Sequence, residues 1–177
     1  MSAPRFTPPA AVTERTRRLR KIWRAMTPDE RVLAIRAASG PDRGAGFTQA
    51  LRGHLAQVLK VRAATAQSWG VPQIAEATLR APLSEDIIVD LLMAFHLKER
   101  VPLLSAFLDA AGIPHTDGVT EPEADVNLDE AQLNAAADAV MANFPARECQ
   151  IYFATLIALE GGAWSSLEPR LDESLRP

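Results

Sequence analysis

Three side chains in the stretch FHLKERVPLLSAFLDAAGIPHTDG, residues 95–118, are of kinds that carry chemistry: His96, His115 and Asp117. Imidazole exchanges its proton near neutral pH and is the commonest metal ligand. A carboxylate two residues beyond His115 can orient that ring or share a cation with it. If the chain turns back at Lys98-Glu99-Arg100, the three groups converge as an acid–base pair or a metal-ligand set. Their spacing matches no metal motif. The same residues also fit a plainer arrangement. His96 then flanks an apolar core, and His115 stands past a helix C-terminus, where a cation is favoured.

A second set is basic. Arg17, Arg18, Arg20, Lys21 and Arg24 lie opposite an apolar stripe of Val12, Leu19, Ile22, Trp23 and Met26. Glu14 is the acid near enough along a helix to pair with Arg17 or Arg18. Such a face can follow phosphates, or meet an acidic protein or membrane surface. No aromatic is interleaved to stack on bases. The competing reading is a solvated face, or one docked on the acidic half of the same chain. That half exists: residues 1–62 carry 13 Lys/Arg and 4 Asp/Glu, whereas residues 63–177 carry 6 and 18.

Other stretches carry weaker signals. Residues 64–80 resemble a DNA-binding helix-turn-helix in Ala66, Gly70, Val71 and Leu79, which implies a recognition helix. Glu76 stands where that pattern wants an aliphatic, and Arg80 is its one phosphate-binding cation. Asp125, Asn127 and Asp129 repeat the first three ligands of a calcium loop, but Glu130 and Ala136 replace its glycine and bidentate glutamate. A helix start with Asn127 as N-cap fits better. His54, among Leu51, Leu55 and Val58, reads as a core or boundary histidine. Cys149 reads as a small buried hydrophobe, not a nucleophile. No G-x-S-x-G, P-loop, dinucleotide fingerprint, H-E-x-x-H or C-x-x-C pair is present.

The elements that must position these residues are helical. The 177 residues are 47% hydrophobic and 23% charged, a globular composition with room for one core. One cysteine forbids an internal disulfide and fits a reducing compartment. No apolar run nears the ~20 residues of a bilayer span, and MSAPRFTPPAA lacks a secretory core. Cytoplasmic residence is therefore expected. Pro28, Pro72, Pro82, Pro102 and Pro145 each stand at or just before a helical pattern, where proline is tolerated. No stretch alternates as a strand does.

Residues 1–10 read as a flexible Pro-rich lead-in and 11–177 as one domain. Helices are predicted over about 11–26, 28–40, 45–61 or beyond toward Trp69, 72–80, 84–98, 101–111, 128–143 and 146–160, with a short closing helix. Thr27 and Glu30 form a capping box, and Ser84 is a further N-cap. Gly112 and Ile113 end their helix in a Schellman cap. The segment around Leu91 and Leu92, apolar nearly all round, is expected at the centre.

The expectation is thus an all-α, compact single-domain bundle of about seven to nine helices around a helical hairpin (84–98/101–111). Its function reads first as a non-enzymatic interaction or regulatory protein with another protein as partner and no cofactor or metal. Nucleic-acid binding through the basic face is the alternative. A small metal-dependent or acid–base enzyme using the His96/His115 region is the third reading.

Overall fold

The computed structural model describes residues 13–40, 46–120 and 129–176. Their architecture is all-α. Helices α1 (Glu14–Ala25), α2 (Pro28–Ala38), α3 (Gly46–Val58), α4 (Ala63–Gln67) and α5 (Val71–Arg80) make the first half. Helices α6 (Glu85–Glu99), α7 (Val101–Ala110), α8 (Glu130–Asn143) and α9 (Ala146–Glu160) make the second, followed by a 3₁₀ segment, Gly161–Arg170. Strands β1 (His115–Thr116) and β2 (Val119–Thr120) pair antiparallel between α7 and α8. No described helix is long and apolar enough to cross a membrane.

Local chemistry accounts for most boundaries. The Thr27 hydroxyl accepts from the Glu30 N–H at 3.2 Å while the Glu30 carboxylate accepts from the Thr27 N–H at 2.6 Å, closing the expected capping box ahead of Pro28. Gly112 has φ +67°, the Ile113 N–H donates to Leu108 O at 2.9 Å, and the Gly112 N–H donates to Asp109 O at 3.0 Å. Those two bonds are the Schellman pattern, and they satisfy carbonyls that α7 leaves open.

Helix α6 packs against α1, α2, α7 and α9, most broadly against α2. Leu91 and Leu92 are fully buried, each contributing roughly 1.5–3 kcal/mol by leaving water. Arg100 alone joins α6 to α7, and α7 makes its broadest packing with α8. Helix α9 is as enclosed as α6, with Cys149, Ile151, Tyr152, Phe153, Ala154, Thr155, Ile157 and Ala158 all buried. Phe107 of α7 meets the rings of Tyr152 (5.6 Å), Phe153 (5.4 Å) and Trp164 (6.0 Å) and so ties α7 to α9 and the 3₁₀ segment.

Four expectations need correction. The third helix does not run through Val61 toward Trp69. Lys60 takes φ +58° and the Val61 N–H closes back on Ala56 O at 3.1 Å, a helix end built on a non-glycine residue. Ser84 has extended N-cap geometry, yet its hydroxyl makes no capping bond. Asp129, not the first turn's interior, caps α8 by accepting from the Ala131 N–H at 3.1 Å; Asn127 and Asp125 lie outside the described residues. Finally, His115 to Thr120 is not loop but a hairpin. Asp117 (φ +50°) and Gly118 (φ +81°) are its two-residue turn, the left-handed pair that Asp-Gly favours. The 1–10 segment and the rest of the acidic stretch, 121–128, also lie outside the described residues.

Candidate functional site

The three groups of the first candidate set do not form one cluster. His96, on α6, is 3% exposed, and its Nε2 lies 3.1 Å from Thr155 Oγ1 on α9. The Thr155 hydroxyl has a second contact, to Ile151 O at 2.8 Å. A hydroxyl carries one hydrogen, and Ile151 O can only accept. Both contacts become bonds only if His96 donates from Nε2, which leaves Nδ1 as a bare acceptor. Nδ1 is buried without a partner among the described residues. Burial first, and the nearby Arg100 cation second, bring the imidazole pKa down from 6.5 to about 3. His96 is therefore neutral at physiological pH.

His115 serves the hairpin. Its Nδ1 accepts from the Gly118 N–H at 3.2 Å, so Nε2 carries the hydrogen that faces Asp109 Oδ1 at 3.2 Å. Asp117 is an exposed turn residue. No group of three or more His, Cys, Asp or Glu placed to hold a metal ion occurs among the described residues. His54 is half-buried, and its Nε2 has no partner among the described residues. Burial raises the Cys149 thiol pKa to about 11, which keeps it protonated and unreactive.

Much of the basic face is engaged by its own molecule. Arg18 pairs with Glu168 at 3.4 Å, and Arg20 donates to Leu83 O at 2.8 Å. Lys21 donates to the carbonyls of Glu173 and Arg176, and Arg17 pairs with its neighbour Glu14 at 2.7 Å. Arg24 is exposed. Arg17, Arg20, Lys21 and Arg24 still edge an open recess of about 510 Å³ with Ser174. The helix-turn-helix resemblance falls on α4 and α5. The exposed residues of α5 are Pro72, Gln73, Glu76 and Arg80, and the last two lie 3.7 Å apart as an ion pair, so that helix offers little to phosphate.

A different place has the shape of a site. A cavity of about 300 Å³ lies between α6, α7, the hairpin, α9 and the 3₁₀ segment. Leu97 on α6, Leu104 and Leu108 on α7, and Leu156 and Leu159 on α9 give it apolar walls. Ile113, just past α7, and Val119 of the hairpin border it too. Val119 is the only large hydrophobic residue exposed among the described residues, at 53%. His96 and Thr155 are on the wall with their mutual bond already made. Tyr152 is buried at 5% exposure, and its hydroxyl has no hydrogen bond among the described residues. Burial first, then the Glu160 carboxylate, push that phenol's pKa up. Glu160 stands at the exposed end of α9 and accepts from Trp164 Nε1 at 2.8 Å.

Of these wall residues only His96 was a sequence candidate. Tyr152, Leu156, Leu159 and Glu160 recur at intervals of four, seven and eight, so they share one face of α9. That face was visible as an apolar stripe. What it faces, space or packing, depends on how α7 and the hairpin sit, which no local pattern encodes.

No family model, curated protein or solved structure matches the chain.

Proposed function

We propose that the protein is a non-enzymatic interaction or regulatory protein whose cavity receives a small apolar molecule and whose helical exterior meets a protein partner. The observation that supports this is the cavity itself, about 300 Å³ with five leucines in its walls, within the size class of small-ligand sites. A well-packed helical interior leaves few voids larger than a water molecule. The one large hydrophobic residue left exposed among the described residues, Val119, stands at its border. Acid–base or metal chemistry through His96, His115 and Asp117 gains no support, because His96 bonds to Thr155 and His115 to Asp109 and Gly118.

Binding to the folded chain alone must raise its stability by mass action. Thermal unfolding with increasing 1-octanol should therefore move upward for the native chain, with a shift that saturates. Leu156→Trp, which fills the cavity from a half-buried position, should abolish the shift. Equal responses from native protein and variant would defeat this reading.

Nucleic-acid binding is the second reading, and the basic recess beside Ser174 favours it. The internal engagement of Arg18, Arg20 and Lys21 weakens it.

A further inference from the structure

The cavity's charges select among apolar ligands. Among the described residues that line it, Glu160 is the one carboxylate, no lysine or arginine is present, and His96 is held neutral. Trp164 Nε1 fixes one carboxylate oxygen of Glu160 at 2.8 Å, and the other oxygen has no partner among the described residues. The aromatic residues Tyr152 and Trp164 border the same space. The Tyr152 hydroxyl, on a residue only 5% exposed and without a hydrogen bond among the described residues, can accept one more hydrogen bond.

We propose that this cavity binds a hydrophobic amine, its ammonium group at Glu160 and Tyr152 and its hydrocarbon between α7 and α9. This rests on the cavity being a ligand site. An apolar acid meets the opposite situation. Its carboxylate finds no cation among the described wall residues and is repelled by Glu160. An alcohol lies between, making a hydrogen bond but no ion pair. Capacity also limits the ligand. At ~30 Å³ for a water-sized group, 300 Å³ accommodates on the order of ten heavy atoms. An eight-carbon chain with one head group fits that limit.

The test is calorimetric titration of the full chain at neutral pH with octylamine, 1-octanol and octanoate, which share one tail. Octylamine should bind at least tenfold tighter than octanol, and octanoate should bind weakest. Glu160→Gln, a change at an exposed helix end, should bring octylamine to the level that octanol shows on the same variant. Added salt should shrink the amine preference, because the carboxylate is near water. If octanol binds and the amine binds no better, the amine assignment is overturned while the cavity reading stands. The assignment is equally overturned if Glu160→Gln leaves the preference intact. If none of the three binds, or Leu156→Trp binds all three as the native chain does, the cavity reading itself falls. The comparison of head groups uses the native protein, so it does not depend on any variant folding.

Discussion

His96 shows how one buried ring ties stability to acidity. Folded, it takes up its proton only near pH 3, because burial and Arg100 both oppose the charge. In the unfolded chain it does so at its ordinary value near 6.5. Between those limits the unfolded state binds one proton more, so stability is lost as the pH falls from about 6.5 toward 3. The contribution approaches ~1.4 kcal/mol per pH unit. His96→Leu removes it. On going from about pH 7 to about pH 5, the native chain should lose about 2 kcal/mol more stability than the variant, measured by urea unfolding at both values. Parallel losses would mean that water reaches the imidazole. The ring's type and its place on an apolar helix were plain in the sequence. Its partner was not, because Thr155 lies 59 positions away and becomes a neighbour only when α9 crosses α6.

At the scale of elements, local rules act well where the residue has a special backbone and poorly where tertiary contacts decide. Pro28 with Thr27 and Glu30, and Gly112 with Ile113, announce their helix ends because ring closure or a missing Cβ leaves few options. The end of α3 is illegible for the opposite reason. Lys60 is forced into a left-handed conformation, φ +58°, that lysine does not favour. Lys60→Gly should therefore stabilise the protein, by about 0.5–1 kcal/mol, as a rise in the urea midpoint with unchanged slope. A fall would show that the lysine side chain makes a compensating contact. The Asp117-Gly118 turn was legible in principle, since that dipeptide is a strong hairpin signal. Its flanking strands are only two residues each, too short to register as an alternating pattern. Ser84 illustrates the limit of capping rules. Glu85, beside it, takes the Thr16 hydroxyl at 2.6 Å and Arg15 at 3.2 Å, so the N-terminus of α6 is tied to α1 while the serine hydroxyl leaves α6 uncapped.

For the whole molecule, part of the charge segregation has an internal use, as Arg15 pairs with Glu85 and Arg18 with Glu168. Arg18 to Glu168, Lys21 to the chain near Arg176, and Arg147 to the carbonyl of Ala25 all join the first helix to the last third of the chain. Within the basic face, Arg24 is exposed and Arg17 pairs, among the described residues, only with its neighbour Glu14, so these two are the cations that polyanions would meet without opening a long-range contact. The logarithm of affinity for duplex DNA should then fall with the logarithm of salt at a slope of about −2, measured by fluorescence anisotropy. A slope of about −4 to −5 would mean that all five cations are released to phosphate and that the internal pairs open. The hairpin has a related bearing on the molecule as a whole. Both of its anchors are on α7: His115 reaches Asp109, and Gly118 comes so close to Leu104 that a Cβ there would lie 2.8 Å from the leucine Cβ. The facing wall, α9 with the 3₁₀ segment, is one unbroken run of chain. The cavity therefore lies between two leaves bound along a single spine, the Phe107 ring against Tyr152, Phe153 and Trp164, so that loosening this one ring loosens both leaves together.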